Sequence, residues 1–247
     1  MSFKIAQLFF GLFLSQLAAA QVKEAFEGGK YIVDGDIALA SEKDVQNYLG
    51  TLLMDNNKLI VSKKGLRAYD IWSTDKRKAI SYCISDLFKN KKKDVVEAMH
   101  VATQDWMDAA GVRFVYKSNE DARCDASNNN VVFDVRPTSG GAYLARAFFP
   151  SEARPARNVI IDGSSFSYSF VALSGFLRHE LGHALGFRHE HISKSSRGIC
   201  PEAGDFESVT AYDQLSVMHY PQCGGRNILQ NMILSEIDKT GARRVYP

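Results

Sequence analysis

HELGHALGFRHEH, residues 179–191, gathers four of the chain's six histidines into thirteen residues. The preceding run, residues 167–185, carries Phe170, Leu173, Leu177, Leu181 and Ala184 on one stripe, which predicts a helix with His179 and His183 near its end. Four helical residues turn the chain by about 400°, so these two imidazoles sit roughly 40° apart on one face, one turn above the other. Two nitrogens can then reach one metal ion. Glu180 projects to the side, where its carboxylate can reach a metal-bound water without ligating the metal. Gly186 follows His183 by three residues. Glycine can end the helix in a left-handed turn and bring His189 back to the same point. Three neutral imidazoles with one open position describe a catalytic zinc site, one ion per chain, rather than a closed structural one. Requiring both Gly186 and His189 lowers the chance-match rate roughly 500-fold. No geometric argument brings His191 to the ion, and it reads as a packing neighbour.

The pattern HisGluLeuGlyHisAlaLeuGlyPheArgHis resembles the metzincin signature H-E-x-x-H-x-x-G-x-x-H. SerValMetHisTyrPro, residues 216–221, resembles the methionine-containing turn of that family. The pairing of Gly-Phe-x-His-Glu-His with Ser-x-Met-His-Tyr is most similar to the astacin branch. Matrixins usually lack the tyrosine and the Glu after the third histidine. The resemblance implies a metzincin-type zincin domain of the α/β (α+β) class: a twisted mixed sheet, two long helices and a smaller C-terminal subdomain. It implies His179, His183 and His189 as zinc ligands, Glu180 as general base and Met218 as the apolar floor. Tyr220 becomes a fifth, displaceable zinc ligand that swings to stabilise the oxyanion, and Glu190 makes structural or N-terminal contacts. LeuSerGluIleAspLysThrGlyAlaArgArgValTyr, near the C-terminus, looks like the family's closing helix. After His191 the chain departs from the astacin pattern, reading IleSerLysSerSerArgGlyIleCys where Arg and Asp residues are expected.

Outward from the motif, residues 67–247 alternate as an α/β domain. Strands are predicted at 79–84, 112–116, 131–135, 144–149 and 158–161. An amphipathic helix is predicted at 94–110, closed by Gly111. The stretch 142–150 could pair with an extended substrate by strand addition, or be an ordinary sheet strand. Residues 118–130 read as a turn-forming loop without calcium-loop spacing.

The N-terminus has the layout of a signal peptide: one lysine, a thirteen-residue apolar run at 5–17 and three alanines at 18–20. The run is too short for ~30 Å of hydrocarbon, so no lasting membrane insertion is expected once residues 1–20 are cut. Residues 21–66, with one predicted helix at 41–53 and a strand-like patch at 58–62, read as a pro-segment. Within it ValAspGlyAsp, residues 33–36, resembles the Phe-x-Gly-Asp motif of astacin pro-peptides, which implies Asp36 as a zinc-binding latency switch. The mature start is expected near residues 67–71, although LysArgLys at 76–78 also offers a basic processing site. Export implies an oxidising compartment, outside the cell or at a periplasm or cell surface. Four cysteines allow three pairings, of which Cys83–Cys124 with Cys200–Cys223 is the most local.

A net charge of +2 and short basic runs without interleaved aromatics give no nucleic-acid footprint. The expected function is that of a secreted, monomeric zinc endopeptidase acting on protein or peptide substrates. A zinc amidase acting on cell-wall peptides and a non-catalytic zinc-stabilised binding module are the alternatives.

Overall fold

The computed structural model describes residues 22–25, 29–51, 60–62, 69–192, 200, 202, 206–227 and 232–247. The expected leader at 1–20 and residues 67–68 of the expected mature start lie outside the described residues. The N-terminal part contains strands β1 (Val22–Lys23), β2 (Tyr31–Val33) and β3 (Ile37–Leu39), helix α1 (Glu42–Thr51) and strand β4 (Ile60–Ser62). The first three strands form an antiparallel sheet of their own, which the sequence reading did not anticipate. Successive left-handed residues at Asp34 and Gly35 turn β2 into β3.

The main sheet is built from β5 (Ile80–Ile84), β6 (Phe114–Tyr116), β7 (Phe133–Thr138), β8 (Ala145–Arg146) and β9 (Asn158–Asp162). Its order is β6-β5-β7-β9-β8. The pairs β5–β6, β5–β7 and β7–β9 are parallel, and the edge strand β8 runs antiparallel to β9. Strands β5 and β9 are buried along their whole length, as parallel strands covered on both faces must be. On one face Tyr82, Phe133, Val135, Val159 and Ile161 join the core made with helices α2 (Lys92–Ala109) and α3 (Phe170–Ala184). On the other, Ile160 packs against Ile32 and Ala38 of the N-terminal hairpin. After α3 the smaller C-terminal part supplies β10 (Phe206–Ser208), which pairs with β4, and the closing helix α4 (Glu236–Val245).

The expected elements form, with corrections at their ends. Helix α2 buries the predicted stripe Val95, Met99, Ala102, Trp106 and Ala109. It ends in extended backbone at Ala110 (φ −150°), not on a left-handed Gly111. Helix α3 begins at Phe170 because the Ser169 hydroxyl accepts the Ala172 N–H, while Gly163–Ser167 form a separate 3-10 turn. The strand expected at 144–149 shrinks to Ala145–Arg146. Ala147 and Phe148 turn into the core, and Pro150 offers no N–H to a ladder. The disulfides are Cys83–Cys124 and Cys200–Cys223, the local pairing.

Three aromatic side chains fix the metal-motif helix against this frame. The Trp106 indole donates to Arg178 O (2.8 Å), and the Trp72 indole to Ala184 O (2.7 Å). The Tyr246 hydroxyl donates to Leu185 O (2.6 Å). The last two satisfy carbonyls that every helix end leaves without an internal partner.

Candidate metal centre

Helix α3 carries His179 and His183 with ring centroids 4.9 Å apart. Beyond it Gly186 takes φ 94°, and a Cβ there would lie 2.1 Å from Asp70 O, so only glycine makes this turn. The turned segment is clamped by β4, through Ser62 N–H to Gly186 O (2.9 Å) and Arg188 N–H to Ile60 O (2.8 Å). It delivers His189 to the two helical histidines.

Each histidine has its Nδ1 occupied from outside. His179 Nδ1 lies 2.8 Å from Val217 O, His183 Nδ1 2.8 Å from Phe187 O, and His189 Nδ1 2.7 Å from Glu202 Oε2. These acceptors place the proton on Nδ1, so each Nε2 turns a lone pair inward. His189 Nε2 is 3.2 Å from both His179 Nε2 and His183 Nε2. Asp36 completes the group, with Oδ2 3.2 Å from His179 Nε2 and Oδ1 3.0 Å from His189 Nε2 and 3.6 Å from His183 Nε2. Asp36 Oδ1 nonetheless has no hydrogen-bond donor, as expected when the facing nitrogens carry no proton. Ligand bonds of ~2.0 Å in a tetrahedron give donor–donor edges of about 3.3 Å, and the contacts of His189 with the other two nitrogens and of each histidine with an Asp36 oxygen, 3.0–3.6 Å, fit a zinc-sized ion. Without a cation, burial opposes charge on His189, but the Asp36 and Glu202 carboxylates outweigh it and push the imidazole up to about 10. His183, with less compensation for its burial, is pushed down to about 4.

The remaining expected site residues surround this cluster. Glu180 is buried, and its Oε2 has no hydrogen-bond partner among the described residues. Burial, and then the Asp36 carboxylate, push its carboxyl well above the usual range. The Tyr220 ring stacks on His179 (5.4 Å) and tilts over His189 (4.4 Å). Its hydroxyl is pushed up by burial and by Asp36. Met218 lies beneath the motif helix: a Cβ at Gly182 would meet its Sδ at 2.3 Å. His191 stacks on His189 (4.8 Å) and Tyr220 (5.1 Å), and its Nε2 lies 3.5 Å from Glu202 Oε2. Glu190 binds inward, with Oε1 accepting Asp213 N–H (2.7 Å) and its own N–H donating to Met218 O (2.9 Å). One cleft of about 430 Å³ joins the cluster to the edge strand, with Glu180, Tyr220 and Phe176 beside Ala142–Ala145.

Two residues here escaped the sequence reading. Glu202 pairs with His189 and Arg188. Asp238 accepts from Ser216 Oγ (2.6 Å), Val217 N (2.8 Å) and Ser235 N (2.9 Å), tying the cap of α4 to the methionine turn. The Ser-x-x-Asp capping box was a readable signal for Asp238. No spacing signals Glu202.

A mixed sheet, a motif helix and a three-histidine cluster over a methionine turn are the parts of a metal-dependent peptidase. Residues 67–211, more than half of the chain, match the family described as dual-action HEIGH metallo-peptidase, and the chain belongs to it. The family's HEIGH reads HELGH here, with Leu181 at the third position. Among solved structures the chain is similar to myroilysin at 19% identity and TM-score 0.53, over 76% of this chain and 98% of that one. A second likeness, at 20% identity and TM-score 0.47, is to high choriolytic enzyme 1, a hatching enzyme zinc-protease from the medaka fish Oryzias latipes, over 74% of this chain and 97% of that one. No curated protein matches the sequence. The architecture is the metzincin-type one expected from the motif.

The Gly182–Met218 contact leaves no room for a methyl group. Gly182→Ala should therefore lower the unfolding free energy by about 1–3 kcal/mol in a denaturant titration; unchanged stability would contradict this packing.

Proposed function

We propose that the chain is a secreted zinc endopeptidase held latent by its own N-terminal segment. One observation carries this reading: three imidazole nitrogens and the Asp36 carboxylate converge on one buried point, beside a buried glutamate whose Oε2 has no hydrogen-bond partner among the described residues. His179, His183 and His189 would hold the ion, with Asp36 as the fourth ligand in the latent state and Tyr220 able to approach it. Zinc bound there lowers the pKa of a bound water towards ~7 and polarises a carbonyl. In the active state Glu180 accepts the attacking water's proton and delivers it to the leaving amine. The Tyr220 hydroxyl, released from Asp36, donates a hydrogen bond to the developing oxyanion. An extended peptide pairs with the free edge of β8, whose Ala145 lines the cleft.

Latency is supported by how firmly the N-terminal segment is tied down. Glu24 lies buried against Arg146, with Nε 2.8 Å and Nη2 2.7 Å from its two oxygens. Lys30 pairs with Glu152, and the Tyr48 hydroxyl donates to Asp34 in the turn that presents Asp36. Processing before Trp72 fits the packing, whereas a cut within 76–78 would strip Trp72 from the core and from the end of α3. The apolar leader and two disulfides support export. Among the described residues no helix is long and apolar enough to cross a membrane.

Casein digestion by the processed protein tests the chemistry. Glu180→Ala should lose at least about 100-fold in rate, and equal activity in the two proteins would remove Glu180 from the mechanism. Latency is tested on the unprocessed chain, where Asp36→Ala should digest casein measurably and the wild type should not. Equal activity, or equal silence, would mean that Asp36 is no switch.

A further inference from the structure

The Glu202 side chain is fully buried, and both of its oxygens are engaged. Oε2 lies 2.7 Å from His189 Nδ1, and Oε1 accepts from Arg188 Nε (3.0 Å) and Nη2. The contrast with the other two histidines gives this contact its meaning. His179 and His183 stand on a helix and donate to backbone carbonyls at Val217 and Phe187. His189 stands beyond the helix end, on a turned segment, and its ring is oriented by a carboxylate instead. That carboxylate is anchored from both sides. Two residues before it, Cys200 is bonded to Cys223, whose N–H donates to Tyr220 O (3.0 Å). Across from it, Arg188 holds Oε1 and also donates from Nη2 to the Tyr48 hydroxyl (3.1 Å) of the N-terminal segment.

We propose that Glu202 is a positioning residue for the metal centre: through Nδ1 it fixes the tautomer and ring plane of His189, so that Nε2 faces the point shared with His179, His183 and Asp36. The Cys200–Cys223 bridge then serves the site directly, by holding Glu202 at the depth of His189. A carboxylate partner also makes the imidazole a stronger donor, and losing such a partner typically costs 10–100-fold in metal affinity. This inference rests on the reading of His189 as a metal ligand.

Zinc dissociation constants of the full chain, from competition with a chromophoric chelator, test it as a double-mutant cycle. Glu202→Gln should weaken zinc binding about 10–100-fold. His189→Ala should weaken it too, and Glu202→Gln should add nothing in the His189→Ala background. Wild-type affinity in Glu202→Gln overturns the proposal, as does a loss that adds in full to that of His189→Ala. Wild-type affinity in His189→Ala itself overturns the ligand reading and the positioning role together, whereas a failure confined to Glu202 leaves the ligand reading standing. Removing one member of a buried ion pair destabilises a fold by itself. The neutral pair Arg188→Met/Glu202→Leu, which leaves no unpaired charge, is therefore measured alongside. It should show the same loss, and wild-type zinc affinity there overturns the proposal.

Discussion

Three inward-facing imidazole lone pairs and one carboxylate share a buried space, and the rest of the structure depends on keeping them there. Nitrogens 3.2 Å apart with their protons on the far side repel one another. A divalent cation turns that repulsion into coordination, whereas a proton satisfies only part of it. The two carboxylates beside His189 raise its proton affinity strongly, so metal binding there displaces a proton and should weaken at low pH.

The scaffold does so with few devices. Trp106, Trp72 and Tyr246 pin carbonyls of α3, which sets the height of His179 and His183. Asp238, at the cap of α4, gathers the methionine turn, and that turn returns Val217 O to His179. The absence of a side chain at Gly182 lets Met218 rise against the helix, and the left-handed Gly186 turns the chain towards His189. The C-terminal helix and the motif helix, far apart in sequence, are thereby one mechanical unit.

Much of this was legible in the sequence, for physical reasons. HELGH at helical spacing followed by Gly186 and His189 encodes its own geometry, and the apolar runs of β5 and β9 announce a buried sheet. The ValAspGlyAsp stretch pointed to Asp36, which the fold does bring to the histidines. The hairpin of β2 and β3 escaped notice because three-residue strands carry too little periodicity to read. The stretch at 144–149 looked like a longer strand because apolar content alone cannot distinguish a ladder residue from Phe148 turning into the core. Glu202 was invisible for a different reason. Its partner is set by a disulfide and a turn, and no local pattern records either.

On the reading proposed above, the N-terminal segment is both plug and part of the scaffold. Its β4 clamps the Gly186–Arg188 turn, and its Asp36 faces the histidines, so on that reading its release would change the fourth ligand and free the support behind the third. X-ray absorption at the zinc edge of the full-length chain, compared with Asp36→Ala, tests this account most directly. The latent chain should show one four-coordinate zinc with three nitrogens and one carboxylate oxygen at ~2.0 Å, and the variant should exchange that oxygen for a solvent one. No retained zinc, a sulfur ligand, or a first shell indifferent to Asp36 would contradict it.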